Sequence, residues 1–147
     1  MEYSEGKVGR IFVLRLGEGD RLPDAIEDFA REQGIGAAMA IYVGGAKDGS
    51  RMVVGPDAHR QDAIVPLVHT LVGIQEVLGV GTLFADEAGK PVLHLHAATG
   101  REGGAQVGCT RAGVDVWLIG EVILLEILGS SGVRRRDPET GFTLLSV

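Results

Sequence analysis

Apolar and β-branched residues occur in short runs along this chain, separated by clusters of turn-forming residues, and this pattern predicts a strand-rich fold. The first run covers residues 8–16 and ends at Gly17-Glu18-Gly19-Asp20. Further runs cover residues 37–43, 51–54, 64–84, 105–110 and 142–147. The longest run covers residues 114–128 and is apolar on both faces, so we expect it to lie inside the sheet rather than at an edge.

Two connections complete the predicted sheet. Lys47-Asp48-Gly49-Ser50 contains Asp-Gly, which favours hairpins, so we expect the strands at 37–43 and 51–54 to pair. Residues 129–141 are expected to form a loop, which contains the arginine triplet at 134–136. The last run, 142–147, is then expected to close the sheet.

One segment has the apolar spacing of a helix, at Leu22, Ala25, Ile26, Phe29 and Ala30. Asp20 is a suitable N-cap, Pro23 suits a first turn, and Gly34 is a natural C-terminal stop. We therefore predict one principal helix from about Leu22 to Gln33. The predicted fold class is α+β, a mainly antiparallel sheet with this helix packed across it.

The composition is that of an ordinary globular domain. The 147 residues are 45% hydrophobic and 23% charged, which suits a single domain with a sizeable core. The 23 glycines agree with many tight turns. A net charge of −6 argues against a broad basic surface for DNA or for anionic membranes.

Cysteine usage and the first residues indicate the compartment. The chain has a single cysteine, so it forms no internal disulfide, as is usual in a reducing environment. Its first five residues are polar and acidic and lack the pattern of a signal peptide. The apolar run at 114–128 is interrupted by Asp115, Glu121 and Glu126, so we expect no membrane span and a cytoplasmic protein.

The stretch Leu93-His94-Leu95-His96 has the clearest chemistry. On a strand, side chains at i and i+2 leave the same face about 6–7 Å apart, so both histidines face one way while both leucines face the core. Two imidazoles on one face suit Zn²⁺ or a similar divalent ion, which needs a third or fourth ligand. The alternative is a pair of histidines hydrogen-bonded in a polar pocket or a subunit interface, without metal.

Whether the site has a third ligand depends on the register that the following turn, residues 100–104, gives to the two strands it connects. If residue 99 lies opposite residue 104, then His94 lies opposite Cys109 and His96 opposite Val107, all on one face. A shift by one residue would bring Thr110 opposite His94 and turn Cys109 away. Cys109 is therefore a candidate ligand, although a buried and inert cysteine is the commoner case.

Glu121 lies in the middle of an apolar run, where an unpaired carboxylate is costly. It is a candidate site residue, either paired with Arg111 or a histidine, or placed in a cleft that raises its pKa. A structural ion pair or an exposed strand position is the plainer alternative. Asp115 and Glu126 are expected to be strand-edge or surface charges.

The remaining polar residues give weaker signals. We expect His59 to be solvated in a loop and His69, in an apolar run, to be a structural histidine. The arginines at 134–136 are expected on a solvated loop, with phosphate binding as the alternative. The sequence contains no Gly-x-x-x-x-Gly-Lys, no complete dinucleotide fingerprint and no Gly-x-Ser-x-Gly, so we favour a protein that is not an enzyme.

The order of these elements resembles the plants-and-prokaryotes conserved (PPC) domain. The resemblance rests on the early strand, the single helix, and the segments 79–83, 93–97, 108–109 and 116–124, and it covers about residues 9–128. It implies one PPC-like domain over residues 1–147, with its core at about 9–128 and a C-terminal loop and closing strand at 129–147. It also implies an α+β subunit that assembles as a homotrimer.

The same resemblance bears on DNA and metal binding. In plants this domain follows AT-hooks in nuclear DNA-binding proteins, whereas in prokaryotes it stands alone. The Arg-Gly-Arg-Pro core of an AT-hook is absent here, so we do not expect this chain to contact DNA directly. Many prokaryotic members have a Gly-Gly-His that would add a third imidazole, where this chain has Gly108-Cys109-Thr110. The family pattern also has a glutamate at the position of Glu121.

These observations leave two hypotheses of different classes. The first is a homotrimeric scaffold or regulatory protein of the PPC type, with protein partners and an indirect relation to DNA. The second is a metal- or small-ligand-binding protein, which extends to a metal-dependent enzyme, with zinc as the candidate cofactor. Its candidate residues are His94, His96 and Cys109 as metal ligands, with Glu121, Arg111 and Thr110 beside them.

Overall fold

The protein has an α+β fold, as predicted, in which a large antiparallel sheet packs against a single helix. The structure is a computed structural model that describes residues 1–57 and 64–147, so His59 lies outside the described residues. The strands are β1 (Lys7–Gly17), β2 (Arg21–Leu22), β3 (Ala37–Ala46), β4 (Arg51–Pro56), β5 (Pro66–Thr70), β6 (Gln75–Ala85), β7 (Pro91–Arg101), β8 (Gly104–Cys109), β9 (Val114–Leu128), β10 (Val133–Arg136) and β11 (Thr143–Ser146). The helix α1 is Asp24–Gln33, and a short 3₁₀ turn covers Thr110–Ala112. In the described ranges, no helix has the length and apolar character needed to cross a membrane.

The main sheet has the order β1-β9-β3-β6-β7-β8-β4-β5, and β2 pairs with β9 beside this path. Strand β9 is 15 residues long and pairs with β1 on one side and β3 on the other. The prediction that this run lies inside the sheet is therefore confirmed. Because β9 is hydrogen-bonded to a strand on each side, neither of its backbone edges is open to solvent.

The core lies between the inner face of the sheet and α1. Along β7, Leu93, Leu95 and Ala97 are buried while the residues between them are exposed, which is the alternation expected of a strand with one packed face. From the helix, Ile26 and Ala30 are fully buried against the same core. Full burial of each large apolar side chain contributes about 1.5–3 kcal/mol, so this face is a main source of stability.

The helix begins two residues later than the sequence predicts. Leu22 belongs to β2 and lies opposite Val114, and Pro23 occupies the N-cap position without a side-chain cap. The predicted capping role of Asp20 is wrong, because its carboxylate accepts the Gly17 N–H at 2.8 Å and closes the preceding turn instead. The predicted stop is confirmed, since Gly34 adopts the left-handed conformation with φ of 66°.

The predicted hairpin between β3 and β4 does not form. A turn is present at residues 47–50, where the Ser50 N–H donates to the Lys47 carbonyl at 3.2 Å. However, β3 pairs with β6 and β9, so both of its edges are already occupied. Strand β4 therefore crosses to the far side of the sheet, where it pairs with β5 and β8.

The C-terminal segment also differs from the prediction. Residues 133–136, expected in a loop, form β10, and β11 pairs with β10 in a separate two-stranded sheet. The prediction that the last run closes the main sheet is wrong, because β1 and β5 remain its outer strands. The β10–β11 hairpin instead lies against the start of β7 and the end of β6, and the Arg134 Nη2 donates to Thr82 Oγ1 at 3.0 Å.

Glu126 is buried rather than at the surface, which corrects the sequence-based expectation. Its side chain is only 8% exposed and accepts a two-pronged contact from Arg10, with Nη2 to Oε1 at 2.7 Å and Nε to Oε2 at 2.8 Å. The Arg10 backbone N–H donates to the same carboxylate at 3.0 Å. These hydrogen bonds lower the pKa of Glu126 to about 2. Asp115 is partly exposed, as expected, and pairs with Arg21 at 3.1 Å.

This ion pair gives a pH-dependent contribution to stability. Because the pKa of Glu126 falls from 4.5 to about 2 on folding, its contribution is complete above pH 4.5 and is lost as the pH drops towards 2. We expect Glu126→Gln to lower the urea midpoint at neutral pH and to flatten the fall of that midpoint between pH 4.5 and 2. Glu121→Gln, an exposed carboxylate on the same strand, is the matched control and should change neither. Equal curves for the two variants would contradict this role of Glu126.

Candidate metal centre

The candidate site lies where β8 stops and β7 continues. Strand β7 pairs with β6 from Pro91 to Gly100, but its pairing with β8 runs only from Arg101↔Gly104 to His96↔Cys109. Within residues 1–57 and 64–147, the first half of β7 therefore has no neighbouring strand on its β8 side. This gap in the sheet is the place where side chains from several elements meet.

The hairpin between β7 and β8 has a two-residue turn, Glu102-Gly103, with φ of 53° and 81°. Two successive positive φ values are typical of the tight type I′ hairpin turn. The register differs by two residues from the prediction, because His96 rather than His94 lies opposite Cys109. A shift of two residues keeps every side chain on its predicted face, so His94, His96 and Cys109 still point to the same side.

These three residues form a compact group of metal-binding atoms. The two Nε2 atoms are 3.0 Å apart, and the two nitrogens and the Cys109 Sγ all lie within 4.8 Å of one another. In a tetrahedral zinc site with Zn–N bonds of 2.0–2.1 Å, two ligand nitrogens are about 3.3 Å apart. The His/His/Cys donor set therefore fits Zn²⁺ in both chemistry and spacing.

Without metal, the two imidazoles form a hydrogen bond with each other. At 3.0 Å one Nε2 donates to the other, and the rings meet edge to face at 80°. The pKa of His94 is lowered by burial first, and then by the charges of His96, Arg134 and Arg111. Since a metal needs the neutral imidazole, this environment keeps His94 in the form that binds metal.

Thr110 is hydrogen-bonded to the backbone of β7. It is buried, and its Oγ1 donates to the Leu95 carbonyl at 3.2 Å, on the side of β7 that β8 leaves open. On the same side, the Leu93 N–H donates to Glu27 Oε1 of α1 at 2.8 Å. Burial raises the pKa of Glu27, and the hydrogen bond from Leu93 opposes that shift. Glu27 could not be identified from the sequence, because its position on the helix has the spacing of a solvated residue.

The structure separates Glu121 from the site and places Arg111 in it. Glu121 is exposed on β9, opposite Arg15 and Val43, and both β3 and β6 lie between β9 and β7. With strands about 4.8 Å apart, the distance across the sheet is about 14 Å, so the predicted pairing with Arg111 or a histidine does not occur. Arg111 follows β8, and its guanidinium lies 5.8 Å from the centre of the Phe142 ring.

A cavity of about 540 Å³ opens beside the triad. Its lining combines His94 and Cys109 with residues of α1, β7 and the β10–β11 hairpin, namely Pro23, Glu27, Val92, Leu93, Arg111, Arg134, Gly141, Phe142, Thr143 and Leu144. Arg134 was expected on a solvated loop, but it is only 5% exposed, because β10 packs on the end of β6. His69, expected to be structural, is exposed on β5.

The comparison with protein families identifies the domain type. The family model of the Plants and Prokaryotes Conserved (PCC) domain, the domain abbreviated PPC above, matches residues 3–128. Among curated proteins, none matches the sequence.

Three solved structures share the fold over nearly the whole chain. A metal-containing protein of Archaeoglobus fulgidus is 26% identical, with a TM-score of 0.85 and full coverage of both chains. A plant- and prokaryote-conserved protein of Pyrococcus horikoshii is 23% identical, with a TM-score of 0.85 and coverage of 100% of this chain and 98% of the other. A protein of Ralstonia eutropha, provisionally described as DNA-binding, is 23% identical, with a TM-score of 0.66 and coverage of 92% and 90%.

The Thr110 hydroxyl should stabilise the open half of β7. Thr110→Val keeps the shape of the side chain but leaves the Leu95 carbonyl without its donor, which we expect to cost about 1–3 kcal/mol of unfolding free energy. Thr110→Ser retains the hydroxyl and should lose less. Urea denaturation of the three proteins measures this difference. Equal stabilities of the Val and Ser variants would show that the hydrogen bond is unimportant.

Proposed function

Because the chain belongs to the Plants and Prokaryotes Conserved domain family, we propose that it acts in the cytoplasm as a self-assembling, non-enzymatic module, a homotrimer that scaffolds or regulates partner proteins. The observation that carries this proposal is the apolar outer face of the main sheet. In a single chain this face is open to solvent, and its composition is that of a surface covered by another protein.

The outer face consists of cross-strand rows of apolar side chains. One row joins Val43, Leu78, Ala98 and Val107 and ends at Glu121 on β9, and the next joins Ile123, Ile41 and Val80 and ends at His96 on β7. Leu78 and Val107 are 59% and 60% exposed. Burying such side chains contributes about 25 cal/mol per Å² of apolar surface, so covering this face with a second copy is strongly favourable.

The number of copies follows from the family resemblance, which implies three. A closed ring of three copies needs two complementary surfaces on each chain, because each copy contacts two neighbours. The exposed outer face supplies one such surface. We place the second on β1, the outer strand at one edge of the sheet, where Ile11 and Val13 are exposed.

DNA enters this proposal only through partners. One similar structure is provisionally described as DNA-binding. This chain, however, has a net charge of −6, and Arg134, in its only run of three consecutive basic residues, is buried. Affinity for the phosphate backbone depends on several exposed cations, so direct binding is not supported.

The oligomeric state tests the scaffold proposal. We expect the wild-type chain to elute in light-scattering chromatography at about three times its 15.5 kDa mass. Leu78→Glu places a charge in the centre of the outer face and should yield monomers, because a buried unpaired carboxylate is strongly unfavourable.

Val72→Glu is the matched control, since Val72 is 78% exposed in the connection between β5 and β6 and lies outside the outer face. It should remain trimeric. A wild-type monomer would reject the proposal, as would a Leu78→Glu variant that stays folded and trimeric.

A second candidate function is metal binding, favoured by the His94, His96 and Cys109 group. In this proposal the two neutral imidazoles and the Cys109 thiolate hold a divalent ion, with Zn²⁺ as the best match to the donor set. The similar A. fulgidus protein is a metal-containing one. A bound Zn²⁺ would supply Lewis acidity beside the cavity, and the residues of this chain would orient whatever binds there.

Metal analysis tests this candidate. We expect protein purified without added metal, then dialysed against Zn²⁺, to retain about one equivalent per chain by elemental analysis. His94→Ala, His96→Ala and Cys109→Ser should each lower the retained metal at least tenfold, because three protein ligands are the minimum for a stable site. His69→Ala removes an exposed histidine on β5 and should retain the wild-type amount. Equal retention by all variants would contradict the assignment.

A further inference from the structure

The cavity beside the triad contains a buried cation without a counter-ion. Arg134 is 5% exposed, its Nη2 donates to Thr82, and its Nε has no hydrogen-bond partner. In residues 1–57 and 64–147, no carboxylate lies within ion-pair distance of this guanidinium. Burial lowers the pKa of Arg134, which reflects the cost of keeping its charge away from water.

A second guanidinium lines the same cavity. Arg111 is exposed and lies over the Phe142 ring, and no acidic side chain in the described ranges pairs with it. Both arginines and His94 line the same cavity. Among the described residues that line the cavity, the one carboxylate is that of Glu27, and one of its oxygens accepts the Leu93 N–H.

The other walls of the cavity are apolar. Pro23, Val92, Phe142 and Leu144 line it together with Leu93. A volume of about 540 Å³ is within the range of pockets that bind small organic molecules. The cavity therefore combines a cationic end with an apolar wall, which fits a ligand that has an anionic head and an apolar body.

We propose that this cavity binds a small organic oxyanion, a carboxylate or a phosphate monoester, whose head group is held by Arg134 and Arg111 and whose apolar body packs on Phe142 and Leu144. The planar guanidinium donates two parallel hydrogen bonds to either head group. An oxyanion supplies the acceptor that the Arg134 Nε lacks, and it offsets a desolvated charge. This inference extends the metal-binding proposal to a small ligand in the cavity beside the same three residues, but it does not require a metal.

Binding of simple aromatic probes tests the proposal. Metal-free protein, prepared with a chelator, is titrated with benzoate, phenyl phosphate and benzyl alcohol while backbone amide signals are followed by NMR. We expect saturable shifts with at least one of the two anions, concentrated in residues 92–94, 109–111 and 142–144. Benzyl alcohol, which has the ring without the charge, should bind at least tenfold more weakly. The anion that binds more tightly shows whether the cavity prefers a carboxylate or a phosphate head group.

Variants assign the binding to the two arginines. Arg111→Gln removes an exposed charge and should weaken the better anion about tenfold, a loss typical of one charge-assisted contact. Arg134→Lys keeps the positive charge but loses the planar guanidinium that donates two parallel hydrogen bonds. If this variant remains folded, it should also bind the better anion about tenfold more weakly. Arg135→Gln, the next residue of β10 and absent from the cavity lining, is the control and should bind as the wild type does.

Three results would overturn the proposal: no saturable shift with either anion, equal affinity for benzyl alcohol, or an equal loss in Arg111→Gln and Arg135→Gln. These outcomes are independent of the metal proposal, because the titrations use metal-free protein. A chain that retains no zinc but binds the anion would reject the metal centre alone. A chain that retains zinc at His94, His96 and Cys109 but binds neither anion would reject this inference alone.

Discussion

The early end of β8 is the constraint on which the site depends. A two-residue turn at Glu102-Gly103 fixes the register, and β8 leaves the sheet at Cys109, opposite His96. Five residues of β7 before that point therefore have an open side. In a sheet, such an open side presents unpaired N–H and C=O groups, which must find other partners. The elements that surround the cavity are the ones that supply these partners.

Two backbone groups in the open half of β7 are satisfied by side chains instead of by a strand. Glu27 accepts the Leu93 N–H, and the Thr110 hydroxyl donates to the Leu95 carbonyl. Each of these side chains satisfies one backbone group, whereas a paired strand would fill the space along the whole edge, so a cavity remains between β7, α1 and the β10–β11 hairpin. The cavity is thus a direct consequence of how the edge is satisfied. The same alternation that buries Leu93 and Leu95 directs His94 and His96 to the opposite face.

The features that could be predicted from sequence are those set by local periodicity and turn chemistry. The period of two fixed the face of His94 and His96, and the helical spacing located α1 to within two residues. The strand partners of β4 and β11 were predicted incorrectly. A turn indicates that two consecutive strands can pair, but it does not indicate whether the edges of those strands are already paired with other strands. Glu126 was misplaced for a related reason, since its partner Arg10 is 116 residues away in sequence and no local pattern connects them. Arg134 was missed because three consecutive arginines look solvated until one of them is covered by a neighbouring strand.

The cavity has two walls of different origin. The family model matches residues 3–128, which supply the triad, Glu27, Arg111 and the open edge of β7. The β10–β11 hairpin lies beyond that segment and supplies Arg134, Phe142 and Leu144. Since the buried charge and much of the apolar wall come from this hairpin, the proposed choice of ligand would depend on residues 129–147 as well as on the family core. A domain with the same core and a different C-terminal segment would keep the three candidate metal ligands while presenting a different pocket beside them.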